Sequence, residues 1–152
     1  MNEIRLCITG GSGFIGTNVM EWAINNKQNV INIDIKPPIL LHHQEYWKYV
    51  DLRDYDSLLS TMKELEPTHI LHLAADLGMD HKNLDNLQCN IKGVENLIES
   101  INNINSVQRT IFTSSLLVCK NGYIPKNGTD YCPPNFYGES KVIGEKIIRE
   151  NE

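Results

Sequence analysis

The sequence predicts an α/β fold: a doubly wound parallel sheet, strand order 3-2-1-4-5, with helices on both faces. Two observations predict it. Apolar runs of strand length alternate with stretches of helical periodicity along the chain. A glycine-rich segment, Thr9-Gly10-Gly11-Ser12-Gly13-Phe14-Ile15-Gly16, lies where the first strand should turn into the first helix.

The elements follow in order. Ile4 to Thr9 is a short apolar run, and the helix after the glycines carries Phe14, Ile15, Val19, Met20 and Trp22-Ala23. Val30 to Ile35 is a second strand, stopped by Pro37-Pro38. Tyr49 to Leu52 reads as a short third strand. Asp54 to Leu65 places apolar residues at 58, 59, 62 and 65, one face of a helix that Pro67 closes. His69 to Ala75 is a fourth strand. Ile91, Val94, Leu97, Ile98 and Ile101 form one stripe on a helix from Asn90 to Ile101. Thr110 to Thr113 begins a fifth strand running into Ser114-Ser115. Residues 119–136 read as loop, and Phe136 to Arg149 as a last helix with Val142, Ile143, Ile147 and Ile148 inward. With no repeat and no linker, residues 1–152 are expected to form one dinucleotide-binding domain.

At 152 residues with a net charge of −5, the chain can bury a core but lacks the basic surface that phosphate backbones or anionic membranes select. No nucleic-acid or membrane partner is expected. No stretch has the run of about 18–20 apolar residues that a bilayer requires, and the N-terminus enters a strand at once, so the expected location is cytoplasmic. Cys7, Cys89, Cys119 and Cys132 are scattered without a C-x-x-C and are read as free thiols.

Gly10, Gly13 and Gly16 satisfy G-x-x-G-x-x-G. Such a turn lets backbone approach a diphosphate at a helix N-terminus, where N–H groups and the dipole favour negative charge. A glycine-rich turn alone is weak evidence. Here the context adds to it: an apolar strand precedes, an amphipathic helix opens at Phe14 and Ile15, and Asp34 follows 18 residues after Gly16. An acidic residue there can accept hydrogen bonds from ribose hydroxyls and repel a 2′-phosphate, which favours NAD over NADP.

Tyr137 and Lys141 are four residues apart on the last helix, hence on one face. A phenol is a poor base at neutral pH, and a neighbouring ammonium together with a cationic nicotinamide favours the phenolate. The pair could then move an alcohol's proton while hydride moves to or from the cofactor. Ser115, past the fifth strand, can offer a hydroxyl to the same substrate oxygen. A Y-x-x-x-K pair is common by chance. The order of glycines, acid, serine, tyrosine and lysine, each on an element aimed at one crevice, gives it weight.

Other residues have plainer readings. His69 and His72 lie three apart on a strand and point to opposite faces, so no metal site is expected. His42-His43 is expected at the surface, and Trp22 and Trp47 in packing.

These residues resemble the extended short-chain dehydrogenase/reductase family, in its NAD-dependent epimerase/dehydratase branch. The family's Thr-Gly-x-x-Gly-x-x-Gly falls on Thr9 to Gly16, its adenine-contacting Asp-hydrophobic pair on Asp51-Leu52, and its cofactor-lining His-Leu-Ala-Ala on His72, Leu73, Ala74 and Ala75. Its helix asparagine falls on Asn90, its serine on Ser115 just beyond Thr113 at the end of the fifth strand, and its Pro-x-x-x-Tyr-Gly-x-Ser-Lys on Pro133 to Lys141. The resemblance implies a Rossmann-like domain, a nucleotide-sugar substrate, hydride abstraction from a sugar hydroxyl, and a homodimer through the helices around 90–103 and 137–150. It implies Ser115, Tyr137 and Lys141 as catalytic residues. The cofactor contacts it implies come from the glycine turn with Phe14 and Ile15, Asp34, Asp51-Leu52, Leu73 to Ala75, Asn90, Thr113, Tyr137 and Lys141.

Three departures stand out. Val118-Cys119-Lys120 replaces the family's Val-Tyr-Gly. Asp76 to Cys89 is short and lacks a proline. Family members run roughly as long again, with further strands and a substrate lobe. The fifth strand should therefore be an exposed edge. Two expectations stay open: an active oxidoreductase, or a truncated, inactive dinucleotide-binding module or fragment.

Overall fold

A computed structural model describes residues 4–78 and 80–151. Its elements are β1 (Arg5–Thr9), α1 (Phe14–Asn25), β2 (Asn29–Asp34), β3 (Trp47–Tyr49), α2 (Tyr55–Leu65), β4 (His69–His72), α3 (Gln88–Asn102), β5 (Arg109–Phe112) and α4 (Phe136–Arg149). Short 3-10 turns occupy Leu41–Tyr46, Leu84–Leu87 and Leu116–Val118. The five strands form one parallel sheet in the order β3-β2-β1-β4-β5, as expected.

Strand alternation sorts the core into two layers. Cys7, Ile33 and Ile70 face one side, where Leu58 and Met62 of α2 and Leu97 of α3 pack on them together with Val50 and Leu52. Ile8 and Val30 face the other side, against Met20 and Ala23 of α1. Each buried Val, Leu, Ile and Met side chain among these contributes about 1.5–3 kcal/mol. Burial pushes the Cys7 thiol up to about 12, so it behaves as a small hydrophobe. All four cysteines are free thiols.

Local signals explain the helix ends. Asp54 caps α2 by accepting from the Ser57 N–H, and Glu66 closes it in the left-handed region at φ 44° just before Pro67. Asn135 caps α4 by accepting from the Gly138 N–H at 2.8 Å.

Several expectations need correction. The third strand is Trp47–Tyr49, not Tyr49 to Leu52. Those three residues pair with Asn32 to Asp34 of β2; the Val50 N–H still reaches the Asp34 carbonyl at 3.4 Å, but the ladder ends there and the Val50 and Leu52 side chains drop into the core. β4 stops at His72 rather than Ala75. The Leu73 N–H still reaches the Thr9 carbonyl, but β1 ends there in the glycine turn and Ala74-Ala75 has no ladder to join. His43 is fully buried, not superficial, and Trp22 is 59% exposed rather than packed. Trp47 does pack partly, its indole N–H donating to the Asp34 carbonyl at 3.0 Å. β5 is an open edge, with Ile111 55% exposed, as expected.

Candidate functional site

The glycine turn is built at the carboxyl end of β1. Its first residue takes φ +75°, a region open mainly to glycine, and a Cβ there would stand 2.6 Å from the Ala74 nitrogen. A Cβ at Gly16 would overlap the Gly10 carbonyl oxygen and the Gly11 Cα. The turn is drawn tight by Gly10 N–H donating to the Ile33 carbonyl (2.9 Å) and Gly13 N–H to the Gly10 carbonyl (3.1 Å).

The helix that follows differs from α2 and α4. Gly13 is the N-cap of α1 and supplies no side-chain acceptor, and Phe14 and Ile15 are 88% and 61% exposed. The first-turn N–H groups of α1 thus have no side-chain partner among the described residues, which fits a diphosphate supplied from outside. Asp34, ending β2, is turned toward this loop. One carboxylate oxygen accepts from the Ser12 N–H at 3.1 Å and the other from the Lys36 N–H at 2.9 Å. Ser12 and Asn32 were not singled out from the sequence. The Ser12 hydroxyl donates to the Lys36 carbonyl (2.7 Å) and accepts from the buried Asn32 amide (2.9 Å), fixing the turn against β2.

Asp51 and Leu52 lie beyond β3. Arg53 folds back onto Asp51, with guanidinium bonds at 2.6, 3.0 and 3.1 Å. This hydrogen bonding holds the Asp51 carboxyl below the ordinary range. Leu52 is buried, and its carbonyl accepts from the Asn96 amide at 2.8 Å. Asn90 is a junction: its oxygen accepts from the Asp76 N–H (2.7 Å), and its amide donates to the Asp76 carbonyl (3.0 Å) and the Ser140 hydroxyl (3.0 Å). Ser140 in turn donates to the Tyr137 carbonyl at 2.7 Å. Asn90 therefore ties the loop after β4 to the first turn of α4, a role that a single residue letter could not show.

On α4, Tyr137 and Lys141 are 8% and 7% exposed, on one buried face. Lys141 lines a crevice with His72, Asn90, Thr113 and Glu145, and its ammonium makes no hydrogen bond among the described residues. Burial lowers its pKa. The Thr113 hydroxyl donates to the His72 carbonyl (2.8 Å). Ser115 lies on the turn at Leu116–Val118, which packs on α4. Gly138 permits that approach, because a Cβ there would overlap the Leu117 carbonyl. The Ser115 hydroxyl is engaged as a cap, accepting from the Leu117 N–H at 3.1 Å, and no hydrogen bond joins it to Tyr137 among the described residues. The structure thus brings Lys141, Thr113 and Asn90 into one crevice and Tyr137 onto the same helix face. It leaves Ser115 one turn away in its own local bond.

The comparisons match this geometry. The sequence pattern of the NAD dependent epimerase/dehydratase family matches residues 6–151. The chain belongs to that family. An N-acetyl-alpha-D-glucosaminyl-diphospho-ditrans,octacis-undecaprenol 4-epimerase from Escherichia coli O157:H7 is 31% identical over 99% of the chain and 44% of its own length. The UDP-glucose 4-epimerase of Mycoplasma genitalium is 28% identical over 96% and 47%. A monomeric L-threonine 3-dehydrogenase from a metagenome superposes with TM-score 0.79 at 28% identity, over 95% of this chain and 48% of that one. The chain spans less than half the length of these relatives. NAD is the family's cofactor, and the uncapped helix end with its glycine cradle fits it.

His72 gives this member a predicted acid sensitivity. It is 1% exposed. Its Nδ1 shares a 2.8 Å hydrogen bond with the Thr9 hydroxyl, and its Nε2 has no partner among the described residues. Burial, then the nearby Lys141 ammonium, lowers its pKa from 6.5 to about 3. The folded state therefore keeps it neutral while the unfolded chain takes a proton. Stability is complete above about 6.5 and falls as the pH drops from there toward 3. At pH 5 the loss is about 2 kcal/mol, or roughly 5 °C in Tm. His72→Asn should flatten the Tm-against-pH curve between pH 6.5 and 5. Equal losses in both proteins would show that another group senses the acid.

Proposed function

We propose that this chain carries the NAD-binding and proton-transferring part of an oxidoreductase of the epimerase/dehydratase type, acting on a nucleotide sugar. The observation that carries the reading is the shared buried face of Tyr137 and Lys141 beside a crevice lined by Thr113 and Asn90. That crevice lies at the carboxyl end of β4 and β5, the sheet end that also bears the glycine turn after β1. NAD, when bound, supplies the hydride acceptor and donor. Tyr137 takes the proton of a sugar hydroxyl and returns it. Lys141 holds the nicotinamide ribose with its ammonium. Ser115 leaves its cap on Leu117 to bond the reacting oxygen. Asn90 positions Tyr137 through Ser140.

Gly10, Gly13, Gly16 and the backbone of Phe14 and Ile15 seat the diphosphate. Asp34 accepts from the adenosine ribose. Asp51-Leu52 borders the adenine, and Leu73 to Ala75 lines the cofactor's path toward Thr113. The sugar 4-epimerases among the relatives favour a nucleotide-linked sugar as substrate. The family resemblance implies a homodimer through α3 and α4, which pack side by side. Because the relatives are longer, a second reading follows: a segment that binds NAD but turns nothing over by itself. Titration with NAD, followed by a hydride-transfer assay against a panel of nucleotide sugars, separates the two. Binding with no reduced nicotinamide selects the second reading.

Asp34 tests the cofactor preference. Asp34→Asn keeps an acceptor for one backbone N–H and removes the charge. NAD affinity should fall about 10-fold and the preference over NADP should shrink, since hydrogen bonds to a charged group contribute roughly 1.5–3 kcal/mol. Unchanged dissociation constants for both cofactors would remove Asp34 from the ribose.

A further inference from the structure

Away from the glycine turn, the second half of α1 meets the 3-10 turn at Leu41–Tyr46. There His42 Nε2 and His43 Nε2 lie 2.7 and 2.8 Å from the same carboxylate oxygen, Oε2 of Glu21. One donor atom from each of the three residues lies within 4.8 Å of the others. The two imidazoles stand edge to face, ring centres 4.6 Å apart. The other Glu21 oxygen accepts from the Asn25 amide at 3.1 Å, which turns Oε2 toward the imidazoles.

We propose that Glu21, His42 and His43 form a binding site for one divalent transition-metal ion, with zinc as the chemically best-matched ion. Two imidazole nitrogens and a carboxylate oxygen are a donor set that zinc takes readily, with water in the fourth place. Tetrahedral bonds of about 2.0–2.1 Å set donors about 3.3 Å apart. The present separations of 2.7 and 2.8 Å thus need to open by about half an ångström. The parts are suited to that. His43 is fully buried and its Nδ1 has no partner among the described residues, so Glu21 holds its side chain's polar contact there. His42 and Glu21 keep 56% and 41% side-chain exposure, which leaves room for the ion's water and an entry path. Asn25 is the outer hydrogen bond that holds the carboxylate, as such partners commonly do.

The ion would bridge α1 to the segment between β2 and β3, closing a loop from residue 21 to residue 43. Its effect would be on stability and would leave the Tyr137 crevice alone. The site owes nothing to the cysteines, so its cobalt form should show visible bands without thiolate charge transfer in the near ultraviolet.

The test uses the full chain with zinc chloride and cobalt chloride. Calorimetry should give one zinc per chain, and zinc at about 100 times its dissociation constant should raise Tm by at least about 5 °C. His42→Asn and Glu21→Gln, both at partly exposed positions, should fold with near wild-type Tm in chelator, bind NAD as wild type does, and lose the zinc shift. Three results would each overturn the site: no zinc shift in the wild type, a shift that survives in both variants, or a cobalt spectrum with thiolate bands.

Discussion

Tyr137→Phe should lower hydride transfer by about 10³-fold while NAD affinity stays within about 3-fold of wild type. The substitution keeps the ring, which is 8% exposed on the inner face of α4, and removes only a hydroxyl that makes no hydrogen bond among the described residues. Packing and Tm should therefore change little. The loss is chemical, because the proposed proton-transfer group is the one atom that the substitution removes. Lys141→Met makes the contrast. It removes the ammonium of the crevice and with it the proposed hold on the ribose, so turnover and NAD affinity should fall together. A steady-state assay of reduced nicotinamide with a nucleotide sugar, paired with NAD titration of each variant, checks both. Full activity in Tyr137→Phe would remove the proton-transfer role. A ten-fold loss of NAD affinity in the same variant would mean that the hydroxyl is part of the cofactor seat.

Much of this arrangement was legible in the chain because it depends on local period and order. Alternating strand and helix patterns suffice for a parallel sheet in the order 3-2-1-4-5, and a spacing of four suffices to set Tyr137 and Lys141 on one buried helix face. What stayed hidden depends on contacts distant in sequence. Leu52 reads as strand because it is apolar, yet it is buried under α3, with Gly93 accommodating it (a Cβ there would lie 3.2 Å from the Leu52 Cβ). Gly138 looked like one letter of a motif, and its work is to let the Leu117 carbonyl reach α4. His43 is polar and follows two prolines, so a surface position was the natural expectation. Glu21, 22 residues upstream, gives the buried ring a hydrogen-bond partner. Trp22 errs in the opposite direction, since its size suggested packing while its place on α1 faces solvent.

Gly13→Asp should raise or preserve stability while weakening NAD by at least about 100-fold, and that divergence tests the cradle more sharply than a simple loss. Gly13 sits at φ −75°, ψ 176°, extended backbone that any residue adopts, and a Cβ there meets only the Gly10 carbonyl oxygen at 3.3 Å. An aspartate at this N-cap can accept from the open N–H groups of α1 and complement the helix dipole, a gain of a few tenths of a kcal/mol, or about 1 °C in Tm. Those N–H groups are the ones proposed to receive the diphosphate, and the new carboxylate would occupy the same place with the same sign of charge. Gly10→Ala cannot make this separation. Its φ of +75° and the Ala74 nitrogen 2.6 Å from a Cβ would strain the fold itself, so lost binding there would be ambiguous. Thermal melts and NAD titration of Gly13→Asp read the two effects separately. Wild-type NAD affinity in a protein that melts no lower than the parent would show that the start of α1 does not seat the diphosphate, and the roles built outward from it to Asp34 and Lys141 would fall with it.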